Sequence, residues 1–192
     1  SFTGSEALSG VTCDIEFTSG NDATNVETIS EGGSNAWTCT VVAHDSDADG
    51  SVVFSIGFSD DHGNAGTAVT AVSDSTSVTH DDTVPTMTPV SIAKAGTGNA
   101  NDGDDITLSF TTSEGIQAPT CTIKDGGGAT MDNSVTATEG SNNAWTCVVE
   151  THDNDANGAV AFTIAFEDDA GNAGVTATAV TDGTSVTIDN TH

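Results

Sequence analysis

The sequence is nearly without cations. Lys94 and Lys124 are its only basic side chains apart from five histidines, against 29 acidic ones, for a formal charge of −27. Nucleic acid and anionic lipid are held by Lys and Arg that neutralise phosphate, so this balance repels both and argues against either as a partner. The chain also repels itself, which makes screening by salt, or neutralisation by bound divalent ions, matter to its stability. Tyrosine is absent and tryptophan occurs twice, so the aromatic platforms that carbohydrate sites usually use are scarce. There is no CxxC pair, which leaves zinc without clustered ligands. No GxSxG and no Asn-x-Ser/Thr occurs, which disfavours a serine-hydrolase elbow and ordinary N-linked sugar. No run of eighteen apolar residues exists, so no segment is predicted to insert in a membrane. No signal peptide is visible, although the sequence opens inside a repeat and one could lie upstream.

High charge with low mean hydropathy can mark disorder, but here the apolar residues alternate in ordered runs. "VVFSIGF" puts Val52, Phe54, Ile56 and Phe58 on one face, and "VAFTIAF" does the same with Val160, Phe162, Ile164 and Phe166. This period of two is what a strand requires and a helix would scatter. "NAWTCTVV" sets Trp37, Cys39 and Val41 to one side and Thr38 and Thr40 to the other. No segment carries a convincing helical period, so the predicted class is all-β.

Residues 1–84 lie over 109–192 without a gap and are identical at about half the positions, an offset of 108 residues. A repeat of that length suits a whole β-sandwich domain better than a solenoid unit. Two domains are expected, 1–84 and 85–192, with Pro85 opening the second. Residues 85–108 have no counterpart in the first domain, which would therefore lack strand A and the start of strand B. Two explanations stay open: the sequence is a section of a longer array, or a neighbouring subunit supplies the strand, as in donor-strand polymers. Four cysteines, at 13, 39, 121 and 147, fall two per repeat at one spacing, which reads as one disulfide per domain, Cys13 with Cys39 and Cys121 with Cys147. Closing such a loop would contribute about 3 kcal/mol on the chain-entropy account. It also implies an oxidising, extracellular address.

Lettered as an immunoglobulin-like sandwich, the second repeat has A near 87–93, B at 104–112, C at 118–124, D at 133–138, E at 144–150, F at 159–167 and G at 174–188, broken at Asp182-Gly183. The cysteines then fall on C and E, in opposite sheets. The turns "FSDDHGNAG" and "FEDDAGNAG", the linker "TSVTHDDTVPT" and the loop "DSDADG" resemble the tandem bacterial immunoglobulin-like repeats of giant extracellular adhesins, surface-layer proteins and filaments. The resemblance covers essentially all of both repeats. It implies a structural role at the cell surface, with neighbouring repeats of the same kind as partners.

The acidic loops are the candidate sites. In "AHDSDADGSVV", Asp45, Asp47 and Asp49 alternate and Gly50 follows. "THDNDANGAVA" repeats this as Asp153, Asp155 and Asn157 before Gly158. Alternating hard oxygens followed by a turn glycine suit calcium. An EF-hand is excluded, because Ile56 stands where its twelfth-position Glu belongs and a strand follows. The competing reading is a solvated Asx-rich turn. A second cluster, Asp60 and Asp61 with Asn64, recurs as Asp168 and Asp169 with Asn172. Sandwich topology would bring linker Asp81 and Asp82 to face Glu114, Asp168 and Asp169 of the next domain, and carboxylates converging without a cation repel one another. Calcium at such loops or junctions is the expected cofactor, and the resemblance to calcium-rigidified adhesin repeats implies the same. "NANDGDD" at 99–105 is a weaker candidate. His44 and His152 recur before the acidic loops and read as partly exposed histidines beside carboxylates; His62, His80 and His192 do not recur.

Catalysis is not expected: the acids lie at turns where water keeps them ionised, and the recurring histidine has no repeated serine partner. The alternative is a binding module for carbohydrate or ice, using outward Thr38, Thr40 and Thr163. Repetition without divergence at the loop tips favours a spacer.

Overall fold

The structure is a computed structural model that describes residues 1–18, 26–131 and 133–191; His192 lies outside them. Among these residues there is no helix, and the chain is all-β with several antiparallel sheets. It divides into two compact units, Ser1–Thr83 and Val84–His192.

Unit 1 holds β1 (Phe2–Thr3), β2 (Leu8–Glu16), β3 (Thr28–Glu31), β4 (Ala36–Thr40), β5 (Gly50–Ser51), β6 (Val53–Asp60) and β7 (Thr79–His80). Its sheets run β1-β4-β3, β2-β6 and β5-β7. Unit 2 holds β8 (Met87–Lys94), β9 (Asp105–Thr112), β10 (Thr120–Lys124), β11 (Thr136–Glu139), β12 (Ala144–Glu150), β13 (Gly158–Ala159), β14 (Ala161–Ala165) and β15 (Thr187–Ile188). Its main sheet runs β11-β12-β9-β8, with β10 paired to β14 and β13 to β15.

The alternation in the sequence is the alternation of burial. β9 and β12 bury every second residue, so Ile106, Leu108 and Phe110 enter one core with Trp145, Cys147 and Val149. Phe162 and Ile164 of β14 and Ile123 of β10 enter the same core. β8 lies at the edge of its sheet, and its pairing with β9 shifts register between Met87 and Val90. Pro89 sits in that irregularity, where a residue without an N–H breaks no ladder bond.

Each pair of cysteines forms a disulfide, Cys13–Cys39 and Cys121–Cys147, with sequence separation 26 in both. Each joins two separately hydrogen-bonded sheets: β2 to β4 in unit 1, and β10 to β12 in unit 2. Such bonds fit an oxidising environment outside the cytoplasm. No helix among the described residues is long and apolar enough to cross a membrane.

Two strand expectations need correction. The run 159–167 is not one strand: Val160 leaves the β14 ladder and donates its N–H to Val186 O, which separates β13 from β14. The run 174–188 is not one strand either, because its partners change along its length. Gly174 and Ala177 bond to Phe166 and Ile164, Thr181 bonds to Val90, and only Thr187–Ile188 forms a short strand with β13. A segment that serves first β14, then β8, then β13 must turn between them, and Gly183 at φ 76° stands at one such turn.

Candidate functional site

The alternating acids of the first loop do not share one task. Asp47 is buried, at 7% exposure, and its Oδ2 accepts the His44 N–H at 2.8 Å while its own N–H donates to His44 O. Asp155 repeats this in unit 2, at 8% exposure, accepting the His152 N–H at 2.7 Å. The middle acid of each loop thus closes a turn on the backbone of the histidine three residues before it.

The third position holds the segment that leaves each unit. Asp49 accepts the Asp82 N–H at 2.7 Å and the Thr83 hydroxyl. Asn157 accepts the Asn190 N–H at 2.7 Å and donates to Thr191 Oγ1 at 2.9 Å. Asparagine can replace aspartate here because one side-chain oxygen makes the shared bond. The first position, Asp45 or Asp153, is exposed in both units. Asp45, Asp47 and Asp49 do not come within 4.8 Å of one another as a set. Gly50 and Gly158 both sit at φ 136°, where a side chain would strain the turn.

In the second cluster Asp60 Oδ1 accepts the N–H groups of His62 and Asn64 at 2.9 and 2.8 Å, and Oδ2 accepts Asn64 Nδ2. Asp168 Oδ1 accepts Gly171 and Asn172 N–H at 2.7 and 2.8 Å, and Oδ2 accepts Asn172 Nδ2 at 2.9 Å. Asp168 is 1% exposed, Asp169 and Asp61 are exposed. The "GNAG" tetrad follows from this turn and its neighbour. The residues after the aspartate supply its donors, and a Cβ on Gly174 would meet the Phe166 ring at 2.2 Å, as one on Gly66 would meet Phe58 at 2.1 Å.

Burial opposes the ionised form of Asp168, but the Asn172 side chain and the backbone N–H groups outweigh it and hold the carboxyl below its ordinary range. The Asn64 side chain, then its backbone, does the same for Asp60. A depressed folded-state value means stability that is complete above the unfolded value, near about pH 4, and lost as pH falls through the folded one. Acid titration of Asp168→Asn is therefore expected to show a smaller loss of unit 2 stability below about pH 4 than the parent chain. An unchanged acid limb would mean the turn does not hold the charge.

Asp81 and Asp82 are half-buried at the end of unit 1. Asp81 Oδ1 accepts the Thr83 N–H at 3.1 Å, and Asp82 stands 3.2 Å from His80 Nε2. In "NANDGDD", Asp104 accepts the Lys94 ammonium and the Asn101 N–H, each at 2.9 Å, and Lys94 first among these holds its carboxyl low. That loop takes its cation from the chain itself.

Asp125 belongs with these residues and does not stand out in the repeat pattern. It is 7% exposed and gathers the N–H groups of Gly127, Ala129 and Ala156, tying the 125–130 turn to the 152–158 loop. Its counterpart in unit 1 is Phe17, which packs edge-on against His80 at 5.2 Å. The glycines that follow Asp125, in "DGGG" at 125–128, are the only hint in the sequence. No protein family and no curated protein matches this sequence.

Proposed function

We propose that the chain is a pair of tandem immunoglobulin-like sandwich repeats from an extracellular filament, stalk or adhesin, with a mechanical role. The observation that carries this is the repetition itself: two units with the same disulfide spacing, the same loop-closing aspartates and the same aspartate-asparagine turn, kept together across 108 residues. The strand order of unit 2 supports the sandwich. β8, β9, β12 and β11 read as A-B-E-D and β10 with β14 as C-F, the arrangement of a constant-type immunoglobulin domain. The disulfide then crosses between its faces. A receptor would be expected to vary its loop tips from repeat to repeat, whereas these loops spend their side chains on fastening the backbone.

Calcium is the second part of the proposal. The exposed Asp45, Asp61, Asp153 and Asp169, with Asp81 and Asp82, offer hard oxygens in a chain with two cations, so a divalent ion would relieve their mutual repulsion. Extracellular calcium modules bind at about 10⁻⁴–10⁻³ M, so one site at 10 mM calcium stabilises by roughly 1.4–2.7 kcal/mol. Thermal unfolding in calcium against sodium chloride of equal ionic strength is expected to show a higher midpoint in calcium. Equal midpoints would leave screening alone in control and remove the ion from the proposal.

A further inference from the structure

The two lysines stand in different circumstances. Lys94 is held by Asp104 at 2.9 Å, whereas Lys124 makes no ion pair among the described residues. Lys124 ends β10, where Cys121 turns to the disulfide and Ile123 to the core, so Thr120, Thr122 and Lys124 lie on the outer face. Ala161, Thr163 and Ala165 of β14 stand beside them, with Lys124 opposite Ala161 and Thr122 opposite Thr163. Lys124 is the one charged side chain of these six.

β2 and β6 build the same face in unit 1. Thr12, Asp14 and Glu16 alternate with Cys13 and Ile15 and are exposed, and Asp14 and Glu16 stand opposite Ser55 and Val53. The repeat offset of 108 residues sets Glu16 on Lys124 and Asp14 on Thr122. One unit thus carries a carboxylate where the other carries an ammonium, on a face otherwise made of short, uncharged side chains. Asp14 and Glu16 form no ion pair among the described residues.

We propose that these faces are the two halves of a lateral contact between copies of this chain, the β2-β6 face of unit 1 in one copy lying against the β10-β14 face of unit 2 in another. In the frame of the repeat they are one surface, so they can meet about an approximate two-fold axis, as an isologous contact does. An axis near Glu16 and Lys124 sets carboxylate against ammonium. Two unit 1 faces would oppose carboxylates and two unit 2 faces would oppose ammonium groups, so charge selects the mixed pairing. Sheet faces stack about 10 Å apart, a gap that short side chains permit and a lysine reaches across. The occupant is a second copy because it carries both halves; a cationic partner would suit unit 1 alone and an anionic one unit 2 alone. Most acids among the described residues lie outside the strands, and at physiological ionic strength their repulsion is screened beyond about 8 Å. One exposed ion pair is weak, so it fixes the register, and contacts add where several repeats align. The proposal goes beyond the mechanical reading and does not depend on calcium.

The test mixes isotope-labelled and unlabelled copies of the whole chain at near-millimolar concentration and physiological ionic strength. A carbodiimide then joins each amine to a carboxylate that it touches, with loss of water. Mass spectrometry is expected to find Lys124 of one copy joined to Glu16 or Asp14 of another, with the link of Lys94 to Asp104 inside each chain as the reference. Sedimentation is expected to show weak self-association that Glu16→Lys or Lys124→Glu lowers roughly threefold or more, and that the two changes together restore. Glu16→Lys is the sharper variant: it reduces the net negative charge, so general repulsion alone would let it associate more. Both side chains are on the outer face, so neither change uncovers the core. Absence of self-association, Lys124 links that stay within one chain or reach other acids, or a Glu16→Lys variant that associates as well as the parent overturns the proposal.

Discussion

Replacing Cys121 and Cys147 together with alanine is expected to lower the stability of unit 2 by about 3 kcal/mol, on the chain-entropy account of a disulfide. The bond closes a loop between residues 26 apart and ties β10 to β12, which share no ladder. Without it the two sheets are held to one another by side-chain packing, by loops and by the bonds of residues 174–184 to β14 and β8, and the unfolded chain regains the freedom that the loop had removed. Cys147 is 0% exposed among Leu108, Trp145 and Ile164, so part of the loss is a small cavity where sulfur had packed. The same replacement of Cys13 and Cys39 removes a loop of the same span. Urea unfolding of the two double variants, followed unit by unit through amide signals, separates the shared loop entropy from the packing that differs. No loss in either unit would contradict the role of the bond as a staple between sheets.

Ile164→Ala is expected to cost unit 2 about 2–5 kcal/mol, the range for removing most of a buried isoleucine side chain. Ile164 is 0% exposed and sits between β10 and the segment at Ala177. Its counterpart Ile56 is 8% exposed and lines an apolar groove of unit 1, so Ile56→Ala should cost less. There the surroundings are already partly in water, and truncation leaves little enclosed space. Denaturant midpoints for both variants measure the contrast. Equal losses would mean that unit 1 is as fully packed as unit 2.

Much of this was legible before any coordinates. The all-β class follows from the alternation in "VAFTIAF" and "NAWTC", because a period of two has one structural solution when one face is buried. The disulfide pairing follows from two equal spacings. The break at Val160 was not legible, since its side chain keeps the alternation while its backbone turns to Val186. Nor were the changing partners of residues 174–188, which depend on what lies opposite and leave no mark on the alternation itself.

The acidic loops show a different limit. A carboxylate that binds a cation and one that gathers backbone N–H groups sit in the same short, polar, glycine-bounded stretches, because both jobs want an anionic oxygen at a tight turn. "DSDADG" therefore reads equally as a calcium loop or an Asx-rich turn, and in the fold Asp47 and Asp49 fasten backbone. The replacement of Asp49 by Asn157 was the clue available in the sequence: one oxygen suffices for the bond to the outgoing backbone. Asp125 was hidden because the repeat breaks there, with Phe17 in its place, and a comparison of two copies cannot highlight a residue present in one. The second glycine of "GNAG" reads as turn chemistry, but the Phe166 ring against it is a packing constraint visible only when the side chains are placed.

The central claim, that these repeats form a stalk stiffened by calcium, is tested most directly by backbone nitrogen-15 relaxation of the two units in the intact chain. In millimolar calcium the account predicts one rotational correlation time shared by Ser1–Thr83 and Val84–His192, and in a chelator two shorter and separate ones. The same relaxation in both conditions would contradict it.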